Sequence, residues 1–138
     1  MTHRLAIAGG PRTGKTQLAR KLAAHLGCAL RCTDDLIPLG WSNDSAVAAT
    51  WFDDPNGFVI EGVAVVRALR KWLASHAEGK PCDRVVWLDI PKVQLTREQL
   101  VMAKGCETIW RGVRPLLLER GVEITVESEE AAVQQEVA

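Results

Sequence analysis

The spacing Gly9-Gly10-Pro11-Arg12-Thr13-Gly14-Lys15-Thr16 constrains this chain more than anything else in it. It fits G-x-x-x-x-G-K-[ST], a turn that works only between a buried strand and the start of a helix. Both flanks are present. Arg4-Leu5-Ala6-Ile7-Ala8 reads as a short buried strand, and residues 17–26, from Gln17 on, carry apolar side chains at helical spacing up to a capping Gly27. Such a turn aims several backbone N–H groups at one point, and the positive end of the helix dipole adds to them. A polyphosphate fits there. Lys15 is placed to reach its outer phosphates, and the Thr16 hydroxyl to ligate Mg2+.

At 138 residues the chain has room for one core, hence one domain. Lys plus Arg and Asp plus Glu both number 17, so net charge is zero and no general attraction to nucleic acid or membrane arises. No apolar run approaches membrane-spanning length, and the first residues lead into a strand without a signal-peptide core. Cys28, Cys32, Cys82 and Cys106 form no C-x-x-C pair and have no His at zinc-finger spacing. They read as reduced thiols packed as small hydrophobes, with Cys32 at the rim the place to look for redox sensitivity. A cytoplasmic monomer or homodimer is the expectation.

Strand and helix signals alternate to the end. Cys28-Ala29-Leu30-Arg31-Cys32 reads as the second strand, followed by an irregular stretch with a helix over about residues 44–52, capped by Ser42 or Asn43. Gly57-Phe58-Val59-Ile60 is a third strand. Residues 63–76 form an amphipathic helix with Val63, Val66, Leu69 and Leu73 inward and Arg67, Arg70 and Lys71 outward. Residues 84–88 make the fourth strand. Two helices are expected over 96–104 and 107–119, separated by Gly105, and then a fifth strand over 122–126. The domain is thus 1–126, and the acidic remainder 127–138 is expected to fray. The alternation predicts a three-layer α/β/α sandwich around a five-stranded parallel sheet. Ligands of such sheets sit at the carboxyl ends of the strands, which gathers the glycine turn, Asp34–Asp35, Glu61–Gly62 and Asp89 on one rim.

Transfer of a bound phosphoryl group needs a cradle, a metal, an acceptor held in line and cations to balance charge. Asp34 or Asp35 is placed to orient an acceptor hydroxyl and take its proton; Asp35 is preferred, and an N-cap is the alternative. Glu61 closes an apolar strand and has the form of a carboxylate that holds a Mg2+-bound water, or else bonds the substrate. Asp89 suits the same metal shell or a turn. Trp41, Trp51 and Phe52 either stack on a base or pack their segment onto the sheet, whereas Trp72, Trp87 and Trp110 read as core. Arg67 and Arg70 suit an anionic group on the acceptor, or a solvated helix face.

These motifs resemble the P-loop kinase group: small nucleoside, nucleotide, shikimate and gluconate kinases, and the kinase module of polynucleotide kinases. The resemblance spans residues 5–126. Thr33-Asp34-Asp35-Leu36 looks like the acidic pair of polynucleotide-kinase-like members, which implies that Asp35 activates the acceptor. Val59-Ile60-Glu61-Gly62 resembles the E-G or D-G that follows the third strand in other members. The resemblance implies the P-loop NTPase fold with strand order 2-3-1-4-5, ATP and Mg2+ as cofactors, and transfer of the γ-phosphoryl group to a hydroxyl or phosphate. The acceptor would be a nucleoside, nucleotide, other small molecule or polynucleotide 5′ end. Two departures stand out. Arg12 occupies a position where the group commonly has glycine. The usual R-x-x-x-R lid is replaced by Arg97, Lys104, Arg111 and Arg114, among which Arg97 is expected to touch nucleotide and Arg111 to neutralise charge, unless they line a solvated face. An ATPase, or a nucleotide-dependent switch without a small-molecule acceptor, is the alternative reading.

Overall fold

Leu5, Ala6, Ile7 and Ala8 are all buried, so the strand they form has no polar face and must be covered on both sides. It lies at the centre of the sheet. The computed structural model describes residues 3–126; the expectation for 127–138 falls outside them. In chain order the elements are β1 (Arg4–Gly9), α1 (Lys15–Leu26), β2 (Leu30–Cys32), a 3-10 helix (Thr33–Leu39), α2 (Trp41–Trp51), β3 (Phe58–Glu61), α3 (Val65–Ser75), β4 (Arg84–Leu88), α4 (Arg97–Glu119) and β5 (Glu123–Val126). All strand pairs are parallel, in the order β2-β3-β1-β4-β5, with Ala6 facing Ile60 on one side and Val85 on the other.

Period-2 alternation divides the core. Leu5, Ile7, Val59, Val86 and Leu88 meet Leu18 and Leu22 of α1 on one face. On the other, Ala6, Ala8, Phe58, Ile60 and Val85 meet α2, α3 and α4, and the small alanines of β1 let those helices approach the central strand closely. Phe52 is fully buried edge-on against Phe58, with ring centres 5.8 Å apart. Trp51 packs on the same core with the Arg31 guanidinium over its ring. These two aromatics therefore secure the segment to the sheet and are not held out for a base; the side chain of Trp41 lies outside the described residues. Trp72, Trp87 and Trp110 are buried as expected.

Three expectations are corrected. The two helices predicted on either side of Gly105 are one 23-residue helix, α4. Cys106, Trp110, Val113 and Leu117 recur at helical spacing and are buried, so tertiary burial outweighs the propensity cost of Gly105, Gly112 and Pro115. Its start is fixed by a reciprocal capping box between Thr96 and Gln99. Helix α2 begins at Trp41, which puts Ser42 and Asn43 inside it and not at its cap. Arg67 does not point outward: it is half-buried, with the Asp44 carboxylate and the Cys106 thiol within its field. Among the described residues no helix is long and apolar enough to cross a membrane.

Candidate active site

The chain leaves β1 at Gly9 and enters α1 at Lys15 through a turn that wraps Lys15 inside itself. Lys15 is 7% exposed; its Nζ donates to the Gly10 carbonyl and to Thr13 Oγ1, the latter at 3.3 Å. Burial lowers the pKa of this ammonium, and the Glu61 carboxylate pulls it back up. A cation held at such a desolvation cost gains strongly from a phosphate partner. Thr16, exposed beside it, donates its hydroxyl to Glu61 Oε1 at 3.2 Å. Glu61 itself is 1% exposed at the end of β3, with Cys32 bonded to it from the end of β2.

Thr16 and Glu61 thus supply one hydroxyl and one carboxylate oxygen, side by side. That donor set fits Mg2+, which keeps most of its waters and completes its shell with substrate phosphates, and it is too sparse for an all-protein metal cage. Accordingly, the described residues hold no cluster of three or more acidic, His or Cys ligands.

Around the turn lies an open cavity of about 540 Å³, bounded by residues 11–17, Asp34, Glu61, Lys92 and Met102. A second cavity of about 240 Å³ adjoins it, lined by Thr33, Asp34, Asp44, Ala64 and the shared Val63 and Met102. Asp34 is the one acidic side chain in both walls. Asp35, its neighbour, lines neither. The 3-10 helix that begins at Thr33 replaces strand alternation at this point, which is why the sequence did not separate the two.

The helical arginines stand elsewhere. Arg111 pairs with Glu107 one turn back at 2.7 Å and, with Arg114 and Asp89, lines a groove on the outer side of Trp87 and Trp110. Asp89 accepts from Trp87 Nε1 and is absent from the phosphate cavity. Arg97, in the first turn of α4, lines neither cavity, and Arg70 is exposed. What α4 brings to the loop is apolar: Met102 in the shared wall, and Ala103 so close to Gly10 that a Cβ there would come within 3.1 Å of it.

The cation over the loop comes instead from Lys92, which the sequence reading missed. Its backbone N–H donates to the Arg12 carbonyl at 2.8 Å. Its side chain crosses Gly14 so closely that a Cβ on Gly14 would lie 2.7 Å from Cε and 2.9 Å from Nζ. Gly14 has φ +91°, a conformation that favours glycine, and any side chain there would also displace Lys92. Glycine is also required at Gly9, where a Cβ would lie 2.4 Å from the Leu88 carbonyl oxygen, and at Gly62, where it would collide with Thr33 Oγ1. Asp44 was missed as well, because a lone acidic residue near a helix start reads as a solvated first turn; a carboxylate amid Trp41–Trp51 was the available signal.

At Cys32, burial and then the Glu61 side chain push the thiol up to about 12, away from the reactive thiolate. Cys82 and Cys106 are buried, with thiols pushed up to about 12 and about 11 by burial.

No family model matches the chain, and no curated protein sequence matches it. Solved structures do. Shikimate kinase from Acinetobacter baumannii, in complex with shikimate, superimposes with a TM-score of 0.64 at 14% identity, over 99% of this chain and 92% of that one. Shikimate kinase from Aquifex aeolicus gives 0.57 at 13% identity, over 97% and 94%. The enzyme from Bacteroides thetaiotaomicron gives 0.56 at 12%, over 96% and 95%. The chain has the fold of the small P-loop kinases. Like the strand order and the loop, this P-loop kinase fold agrees with the resemblance read from the motifs.

Proposed function

We propose that this protein is an ATP-dependent phosphotransferase that moves the γ-phosphoryl group of Mg-ATP to a hydroxyl of a small molecule. The observation that carries this reading is the second cavity, which joins the phosphate cavity through Asp34. A hydrolase or a switch has no use for such a neighbour, whereas a kinase needs an acceptor held within reach of the transferring group. The structural neighbours point the same way, since the shikimate kinase from Acinetobacter baumannii is in complex with shikimate, a small hydroxylated molecule.

Each residue has a role that follows from its place. The backbone of residues 11–17 and Lys15 bind the phosphates; Thr16 and Glu61 would hold Mg2+, which would supply charge neutralisation for the phosphates. Asp34, not Asp35, orients the acceptor hydroxyl and takes its proton. The acceptor oxygen bonds to the γ-phosphorus as the bond to the β–γ bridging oxygen breaks, and ADP leaves with that electron pair. Lys92 neutralises charge on the transferring group, the task expected of Arg97 or Arg111. Met102 and Ala103 of α4 keep water from the loop. Four thiols, none paired in a disulfide, suit a reducing cytoplasm.

The test is phosphorus NMR of Mg-ATP and the protein with a panel of nucleosides, nucleotides, polyols, hydroxy acids and a 5′-hydroxyl oligonucleotide. A new phosphoester resonance with one acceptor, lost in Lys15→Met, is the expected result; ADP and inorganic phosphate alone would overturn the reading. In Lys92→Met, kcat falls by about 100-fold or more, the scale on which removal of one transition-state charge contact acts, while Arg111→Ala leaves kcat within about twofold. Equal effects of the two variants would return the role to the helix.

A further inference from the structure

The second cavity carries information about its occupant, given the kinase reading on which this inference rests. Asp44 is 3% exposed and Thr33 is 1% exposed, and both line it. Asp44 Oδ1 and Thr33 Oγ1 are buried and have no hydrogen-bond partner among the described residues. Buried polar atoms are almost always bonded, so two orphans on one cavity mark where a ligand completes the network. Asp34 brings a third oxygen-bearing side chain to the same wall, and Val63, Ala64 and Met102 add apolar surface beside Gly40.

The charge balance is one-sided. Asp34 and Asp44 lie within each other's field, and Arg67, which answers Asp44 from α3, does not itself line the cavity. A carboxylate or phosphate placed there meets two carboxylates and, among the described lining residues, no cation. A ligand with N–H or O–H donors meets acceptors. We propose that this cavity takes a small hydroxylated acceptor bearing an ammonium or hydroxyl donor and no anionic group, with the donor on Asp44 and Thr33 and the reacting hydroxyl on Asp34. Its acceptor thus differs in charge from shikimate, the carboxylate named for the Acinetobacter baumannii neighbour.

A matched set on one ring isolates the charge: shikimate, its primary amide and its aminomethyl analogue, with binding to the full chain read by ligand-observed NMR. The amine and the amide are expected to bind at least tenfold more tightly than the carboxylate. Asp44→Asn is expected to weaken the amine at least tenfold while the ATP-induced thermal shift stays unchanged. If Asp44→Asn does not fold, Thr33→Val takes its place, with at least a fivefold loss for the amine. The proposal is overturned if shikimate binds as well as the amine, if no member binds, or if the variant leaves the order unchanged. Phosphoester formation is followed separately: the expected binding order without any transfer would remove the kinase reading and support the cavity's preference.

Discussion

Arg12 has φ +63° and is the one non-glycine residue with positive φ among those described. A side chain in that region costs on the order of 1 kcal/mol or more, which explains why related loops place glycine there. Arg12→Gly keeps the backbone carbonyl that Lys92 binds and relieves the strain. It should stabilise the protein by about 1 kcal/mol, read as a higher urea midpoint at unchanged m-value; a lower midpoint would show that the guanidinium contributes more than the backbone loses. Motif spacing brought Lys15 and Thr16 to the loop and a strand end brought Glu61 beside them, because strand, turn and helix fix their relative positions. Lys92 was illegible because its placement depends on a backbone bond to Arg12, a contact no local pattern records. The choice between Asp34 and Asp35 was illegible for a different reason: a 3-10 helix, not a strand, carries them.

Helix α4 shows the limit of local signals at the scale of an element. The spacing of Cys106, Trp110, Val113 and Leu117 was readable, but Gly105 invited a break that burial of that stripe overrides. Gly112 is exposed, with nothing within 4 Å of where its Cβ would stand. Gly112→Ala should therefore stabilise the protein by about 1 kcal/mol with no effect on nucleotide binding. Thermal melts with and without ATP check both halves of that expectation; a destabilised variant would mean that α4 needs the glycine to bend. Strands were easier to read, since a parallel sheet buried on both faces needs near-continuous apolar runs such as Phe58-Val59-Ile60. The exception is β2, three residues long at the sheet edge and only partly buried, where the sequence suggested five.

For the whole molecule, the buried thiols set an alkaline limit. Cys82 is fully buried and its thiol stands at about 12, against 9.0 when unperturbed. A pKa raised on folding stabilises below the unfolded value and ceases to do so as pH rises through the window from 9 to 12. At pH 10 the unfolded thiol has gained about 1.4 kcal/mol by ionising. Lys15, lowered by burial, acts in the opposite sense, so a difference between two proteins is needed to isolate the thiol. The stability gap between the protein and Cys82→Ala should narrow by about 1.4 kcal/mol from pH 8 to pH 10 in urea unfolding; a constant gap would show that Cys82 ionises in the folded state. The three layers were legible from alternation and handedness, and the strand order 2-3-1-4-5 from the resemblance to the P-loop kinase group. Which side chains converge across the rim was legible only where a motif spans them. One packing detail reaches further. Trp87 of β4 and Trp110 of α4 stack with rings 4.8 Å apart and 1° from parallel. Indoles that close share excitation, so emission and near-ultraviolet dichroism depend on the gap between them. Helix α4 carries Met102 and Ala103 to the loop on the same rigid body, and the chain thereby contains its own optical gauge. A nucleotide that shifts the helix by a fraction of an ångström becomes visible without any attached dye.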